Sequence, residues 1–362
     1  MGFLNWLVKP FMNEMSDLEK QILTETLSIE EQEAFDFIRG KTDTYTPPKK
    51  QPKEDNDIFE LDSKAKVKIF RPLSFNEYIG QDSAKSILKK FISGTRERKI
   101  TFPHTLIHGN AGCGKTTLVK IVAQQLNKPV VETITSDIPD FEQFKKYIKE
   151  TKGGILFLDE IHSIERNTAE KLYSIMEDFT YNGKSIMPFT LIGATTELGE
   201  IIKTRKPFYD RFKIIIGLDD YSVDDLIKII KQYNYSMFEN DKIHDKIHRK
   251  IAKNSRNTPR TALRLLETTI YFNGDIDEVL KSFNIIKDGF TVTDLQLLNY
   301  IKQSPTAVGL QGIASYLGTS EANYIFSIEP YLLKSGLIVR TPRGRQITEA
   351  GKNLATTLIG GN

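Results

Sequence analysis

The segment GNAGCGKTT, Gly109 to Thr117, has the spacing G-x-x-x-x-G-K-[ST], follows the apolar run TLIHG and opens a stretch of helical periodicity from Lys115 to Leu126. Glycines at 109, 112 and 114 let the backbone fold tightly, so that its N–H groups and the start of the helix turn toward an anion. Lys115 then reaches the β- and γ-phosphates of ATP, the Thr116 hydroxyl holds Mg²⁺, and Thr117 completes the nucleotide-binding segment. Cys113 stands where such a loop uses only backbone, so its thiol reads as packing; a redox-responsive thiol at a helix start is the alternative.

About forty residues later, ILFLDE ends an apolar run in two carboxylates. After a complete phosphate loop, this spacing puts Asp159 beside the metal and leaves Glu160 to polarise the attacking water, the division of labour that ATP hydrolysis needs. Thr195, ending FTLIGAT, is placed to bond the γ-phosphate or the water. Arg211, in YDRF, belongs at a domain edge, where a guanidinium can enter the next subunit's site and stabilise transition-state charge. Arg260, in NTPRTALRLLE, begins a helix able to reach the nucleotide from above. Surface ion pairing is the plainer alternative for either arginine.

These residues need a frame. Apolar runs at Thr105 to Gly109, in GGILFLDE and in FTLIGATT alternate with helical periods at Lys115 to Leu126 and Thr168 to Asp178. That alternation predicts an α/β fold, a parallel sheet with helices on both faces and ligands at the carboxyl ends of its strands. The pattern is helical from Tyr221 to about Phe283, a lid. From about Phe290 it predicts helices at Thr293 to Gln303, Leu310 to Leu317 and Ser320 to Ser335, then the hairpin GLIVRTPRGRQIT, which together make a winged helix. Arg340, Arg343 and Arg345 on that wing, with no acid between them, suit contact with DNA phosphates and little base reading.

Before the sheet, apolar spacing from Glu14 to Arg39 predicts a helical hairpin, and the Pro- and charge-rich stretch KTDTYTPPKKQPKEDND predicts a flexible linker. The parts are then 1–40 helical extension, 41–66 linker, 67–220 ATPase domain, 221–288 helical lid and 289–362 winged helix. The whole chain of 362 residues carries a net charge of +3. Residues 1–60 hold seven Lys or Arg against thirteen Asp or Glu, a balance of −6 that leaves +9 for the rest, the part suited to meeting phosphates. A single cysteine permits no intrachain disulfide and fits a reducing compartment. No apolar run has membrane-spanning length, and the opening MGFLNWLVKPFM lacks a basic leader and a cleavage site, so the chain reads as cytoplasmic.

RPLSFNEYIGQ, GNAGCGKTTL, LFLDEIHSI, MEDF, PFTLIGATT, YDRF, NTPR and EPYLLKSGLIVRTPRGR occur in the order and approximate spacing of the RuvB family, across about Ile69 to Lys352. EPYLL and RTPRGR are not needed to bind ATP, so the chain resembles this family more than AAA+ ATPases in general. The resemblance implies an AAA+ P-loop domain, an α-helical lid and a winged helix, working as a homo-oligomeric ring, a hexamer, around branched or duplex DNA. It also implies that Phe70 and Arg71 flank the nucleotide, that Glu177, Asp178 and Phe179 form a further nucleotide-side segment, and that Tyr221 is the lid-hinge aromatic. By the same resemblance Arg211 is the arginine finger, Arg260 the second sensor, and Arg340 and Arg345 the wing residues that touch DNA.

The sequence departs from the family in two places. Only TYNGKSIM stands where the family carries a long hairpin that docks on RuvA, which puts a RuvA-like partner in doubt. The acidic extension is additional, and it is a candidate arm for another protein; its Trp6, Phe3, Leu7 and Phe11 fit either a partner-binding stripe or packing on the chain's own hairpin. Two other functions stay open at this point: an AAA+ clamp loader or protein remodeller at DNA, and a DNA-binding regulator switched by nucleotide. His244 and His248, four apart in a helical stretch, read as a solvated helix face, not a metal site, because no third ligand is evident.

Overall fold

The computed structural model describes residues 70–238 and 243–359. The helical hairpin, the linker and the Trp6 stripe lie outside the described residues. The first helix, α1 (Asp82–Arg98), buries Ala84, Leu88, Ile92 and Thr95. Their spacing of three and four residues makes one apolar face.

The sheet follows with its helices in chain order: β1 (Thr105–Gly109), α2 (Lys115–Leu126), β2 (Val130–Ile134), α3 (Phe141–Glu150), β3 (Ile155–Asp159) and α4 (Arg166–Asp178). Next come a small hairpin of β4 (Thr180–Tyr181) and β5 (Lys184–Ser185), then β6 (Thr190–Thr195), α5 (Leu198–Thr204), α6 (Lys206–Tyr209) and β7 (Ile214–Leu218). Five strands pair in the order β2-β3-β6-β1-β7, all parallel.

The continuous apolar runs have a plain cause. In β3, Ile155 and Phe157 enter one core while Leu156 and Leu158 enter the core on the opposite face, and β1 divides Ile107 from Leu106 in the same way. Burying each such side chain contributes roughly 1.5–3 kcal/mol, so strands covered on both faces form the stiff frame that holds the loops at their carboxyl ends. Two strands of this sheet escaped sequence reading. β2 (VVETI) is half exposed at one edge, and β7 (IIIGL) alternates buried and exposed positions, so neither shows an uninterrupted apolar run of the central kind.

Four lid helices follow: α7 (Val223–Met237), α8 (Asp245–Lys253), α9 (Pro259–Tyr271) and α10 (Ile276–Ser282). Ser222 caps α7 by accepting from Asp225 N at 3.0 Å, and Pro259 opens α9, where a missing N–H costs nothing. Leu226, Ile230, Ile251, Leu265 and Leu266 form a lid core continuous with the apolar cluster that covers one face of the sheet. His248 belongs to this packing: it is 4% exposed on α8, which corrects the expectation of a solvated face.

A short pair, β8 (Ile285–Lys287) and β9 (Phe290–Thr291), leads into α11 (Val292–Gln303), whose start carries a capping box between Thr291 and Asp294. Then come α12 (Leu310–Leu317), α13 (Glu321–Asn323), a π-helical turn at Tyr324–Ile328, α14 (Glu329–Lys334), the antiparallel wing of β10 (Ile338–Thr341) and β11 (Gly344–Ile347), and α15 (Glu349–Ile359). The single helix expected over Ser320 to Ser335 is thus broken by a wider turn just before Pro330. Proline lacks an N–H and its ring crowds the carbonyl four residues back, and a π turn relieves both. Among the described residues no helix is long and apolar enough to cross a membrane.

Candidate active site

A cavity of about 580 Å³ lies between the carboxyl end of the sheet and the lid. Of the residues singled out in the sequence, Phe70, Arg71, Gly112, Gly114, Lys115, Thr116, Thr117, Asp159, Glu160, Tyr221 and Arg260 line it. The loop between β1 and α2 supplies the floor. Gly112 and Gly114 take φ of 77° and 97°, and a Cβ on Gly112 would stand 2.5 Å from the Cβ of Arg260. Glycine is required there because the loop is closed on its outer side by the lid helix α9, whose Arg260 N–H also reaches Gly112 O at 3.4 Å.

Lys115 is only 7% exposed, and its ammonium donates to Gly109 O at 2.9 Å and Asn110 O at 3.2 Å. Gly109 therefore acts behind the cavity, as a strut for the lysine. Among the described residues no carboxylate lies within ion-pair distance of this buried cation, and a buried charge without a counter-charge is costly. A phosphate anion against it would balance that charge.

Asp159 ends β3 and faces the same cavity. Burial pushes its carboxyl up, and the Glu160 N–H, 3.0 Å from its Oδ1, offsets that only in part. A cation beside it would reverse the shift. Glu160 adopts φ 48°, ψ 48°, a left-handed conformation costing on the order of 1–3 kcal/mol for a side-chain-bearing residue. Its side chain lines the cavity, with Oε2 accepting from the Thr196 hydroxyl at 3.2 Å.

Sequence reading missed part of the wall. Tyr78 and Tyr221 join hydroxyls at 3.3 Å, and both reach Cys113 O, at 3.4 and 3.2 Å. Burial drives the Tyr221 hydroxyl up to about 12, so the pair is neutral and holds the phosphate loop through its carbonyl. Ile229, Tyr233 and Leu263 of the lid add an apolar wall, with Phe70 edge-on to Tyr233 at 6.1 Å between centroids. Such a wall fits a planar base. Tyr78 lies inside RPLSFNEYIGQ, but nothing in the spacing marks it as a neighbour of residue 221. Cys113 is buried and its thiol is pushed up by that burial, which makes it packing.

Thr195, Arg211 and the Glu177–Phe179 segment do not line this cavity. The Thr195 hydroxyl sits at the end of β6 against His162 Nδ1 at 3.1 Å. Glu177 to Phe179, expected beside the nucleotide, stand at the end of α4: Glu177 faces Arg211 at 3.4 Å, Asp178 receives Thr180 N–H at 3.0 Å, and Phe179 packs on Phe189 and His104. The reason is that α4 runs away from the strand ends, carrying its last turn to the small hairpin. Arg211 lies with that segment, donating to Pro207 O at 2.7 Å and stacked 4.5 Å over the Tyr173 ring.

Arg340 and Arg345 are direct cross-strand partners, an arrangement that like charges resist. Glu329, fully buried on α14, lies between them, 2.6 Å from Arg340 Nη2 and 2.6 Å from Arg345 Nε. Arg345 is therefore held as a strut with a side chain 15% exposed, whereas Arg340 remains 56% exposed and Arg343 is exposed at the wing's turn. Burial pushes the Glu329 carboxyl up, but the two guanidiniums outweigh it and the net shift is downward. A depressed carboxylate stabilises the fold above its unfolded value, near 4.5, and loses that contribution as pH falls through its folded value. The winged helix is accordingly expected to lose thermal stability below about pH 4.5, and Glu329→Gln to remove that acid limb at a cost of roughly 3–5 kcal/mol at neutral pH, measured by circular dichroism melting. An unchanged melting curve would count against the strut.

At the other end of α14, Lys334 pairs with Asp220 Oδ1 at 2.6 Å, and the same oxygen accepts from Asn110 of the phosphate loop at 3.0 Å. The winged helix thus touches the hinge beside the nucleotide loop.

Comparison with known proteins agrees with this geometry. Residues 70–218 match the model of the Holliday junction DNA helicase RuvB P-loop domain, and residues 287–356 match that of the RuvB C-terminal winged helix domain. The Holliday junction branch migration complex subunit RuvB of Prochlorococcus marinus (strain MIT 9312) is 35% identical over 325 residues, covering 82% of this chain and 90% of that protein. The same subunit of Phytoplasma mali (strain AT) is 38% identical over 308 residues, covering 78% and 91%. The solved structure of the Thermotoga maritima RuvB Holliday junction branch migration motor superposes with a TM-score of 0.69 at 35% identity, covering 79% of this chain and 98% of that one. With a P-loop cavity closed by a helical lid, and a winged helix behind it, the chain belongs to the RuvB family of ATP-driven motor ATPases.

Proposed function

We propose that this protein is a ring-forming motor that hydrolyses ATP at subunit boundaries to move branched DNA, a Holliday junction or the duplex arms leading from it. The observation that carries the proposal is the pairing, in one chain, of an anion-seeking cavity with an arginine that cannot serve it. Lys115 faces the cavity with no carboxylate within ion-pair distance among the described residues, while Arg211 lies outside the cavity's lining, where a neighbouring copy's triphosphate would meet it.

In this reading Lys115 and the backbone of the loop hold the phosphates. Thr116 and Asp159 would hold Mg²⁺, which neutralises phosphate oxygens when bound. Glu160 polarises the attacking water, Thr195 reads the γ-phosphate, and Arg260 reports on it from the lid. Arg340 and Arg343 meet DNA phosphates, and the Asn110–Asp220–Lys334 contact supports a link between nucleotide loop and winged helix. The β4–β5 hairpin has two residues per strand, which offers a RuvA-like partner little surface, so such a partner would bind elsewhere.

The test is ATP turnover measured with no DNA, with duplex and with a four-way junction, beside unwinding of that junction. Turnover is expected to rise with DNA and the junction to be resolved into duplex products, both weakening steeply with salt because the contacts are to phosphates. Turnover indifferent to DNA would favour a nucleotide-switched regulator, and clamp opening without unwinding would favour a loader.

A further inference from the structure

Beside the strand ends stands a residue to which no role has been given. His162 follows Glu160 by two positions, in the short 3₁₀ turn Ile161–Ser163. Its Nδ1 lies 3.1 Å from Thr195 Oγ1 and 3.3 Å from Glu160 Oε2, so one ring nitrogen faces both groups. Its Nε2 lies 3.9 Å from Glu197 Oε1, and its own carbonyl is gripped by Arg205 Nη1 at 3.2 Å, which fixes the turn from the far side.

A carboxylate only accepts, so Nδ1 engages Glu160 in the tautomer that carries its proton there, whereas in the other tautomer it accepts from the Thr195 hydroxyl. Glu160 Oε2 also accepts from the Thr196 hydroxyl at 3.2 Å, which leaves its second oxygen, Oε1, to face elsewhere. Thr195 Oγ1 accepts the Glu197 N–H at 2.9 Å as well as facing His162. In the Nδ1-protonated tautomer the Thr195 hydroxyl accepts from both and keeps its own proton to give to a third group.

We propose that His162 is a positioning residue: through Nδ1 it ties Thr195 to Glu160, so that a phosphate oxygen accepting the Thr195 proton and a water facing Glu160 Oε1 are held in one geometry. This rests on the reading of Glu160 as the water-polarising group. His162 does not line the cavity; it sets the angle of the carboxylate and the direction of the hydroxyl. A misplacement of about 1 Å at a reacting group costs about a hundredfold in rate, which sets the scale of the expected effect.

Side-chain isosteres separate this role from mere packing. Asparagine places its amide N–H where Nδ1 stands, and glutamine places its own where Nε2 stands. In the full chain, His162→Gln and His162→Ala are expected to lower kcat about a hundredfold, with ATP KM and binding of a fluorescent ATP analogue within a few-fold, whereas His162→Asn recovers at least tenfold of the loss. Equal turnover by the Asn and Gln variants, or turnover within twofold of the parent in both, would overturn the proposal, and this comparison stands even if the Ala variant fails to fold. Glu160→Gln measured alongside tells the two levels apart. If Glu160→Gln is inactive and the His162 variants are not impaired, only the role of His162 fails; if Glu160→Gln turns over normally, the reading of Glu160 fails first.

Discussion

Arg211→Ala is expected to fold, bind ATP and assemble as the parent does, yet to hydrolyse ATP about 10³–10⁵-fold more slowly, the range associated with a guanidinium supplied to a phosphoryl transition state. Folding should survive because the contacts of Arg211 within its own subunit are modest. Glu177 is largely exposed and 3.4 Å away, and exposed pairs contribute about 0–1 kcal/mol. The stack on Tyr173 at 4.5 Å adds a similarly small amount. Nucleotide affinity should survive because Arg211 does not line the cavity that Lys115 and Arg260 do.

The decisive measurement mixes two inactive proteins. Combined with Glu160→Gln subunits, Arg211→Ala subunits would form some boundaries where an intact Glu160 faces an intact Arg211. ATPase activity of the mixture is expected to exceed that of either protein alone. If mixing restores nothing while mixed rings form, Arg211 does not act across subunits.

Glu160→Gln carries the second large effect. Replacing the carboxylate by an amide of the same shape keeps the volume and most hydrogen bonds but removes the base. Turnover should fall about 10²–10⁴-fold, the usual contribution of a general base, with ATP retained on the protein. The comparison with Asp159→Asn is useful, since Asp159 is the carboxyl that burial pushes up and that a bound cation would restore. That variant is expected to weaken the Mg²⁺ dependence, whereas Glu160→Gln leaves it intact. A Glu160→Gln protein with full turnover would remove Glu160 from the chemistry.

His104 shows how burial alone can set a pH limit on the same domain. It is 7% exposed beneath the sheet, its Nδ1 accepts the Leu191 N–H at 2.8 Å, and burial lowers its titration to about 4, with the Met176 carbonyl opposing weakly. A depressed histidine stabilises the fold fully above the unfolded value near 6.5 and loses that contribution as pH falls from there to about 4. ATPase-domain melting should decline over that window, and His104→Gln should flatten the decline.

Much of this protein was written along the chain. GNAGCGKTT, ILFLDE and the apolar runs before them are local: the loop, the helix behind it and the strand beneath are one contiguous segment each, and their chemistry follows from residue type and spacing alone. A parallel sheet, a lid and a winged helix follow from the alternation of apolar periods, because strands covered on both faces cannot afford polar interruptions. What the chain order could not decide were the meetings of distant residues. The choice of Arg343 over Arg345 as a free wing cation depends on Glu329, the tyrosine pair on residues 78 and 221, and the Thr195–His162 contact on residues 33 apart. Each turns on which side chain faces which neighbour across a sheet or between helices. Apolar periodicity fixes the face a residue occupies but not its partner there, so only the packed tertiary structure separates a guanidinium held as a strut from one left to meet a phosphate.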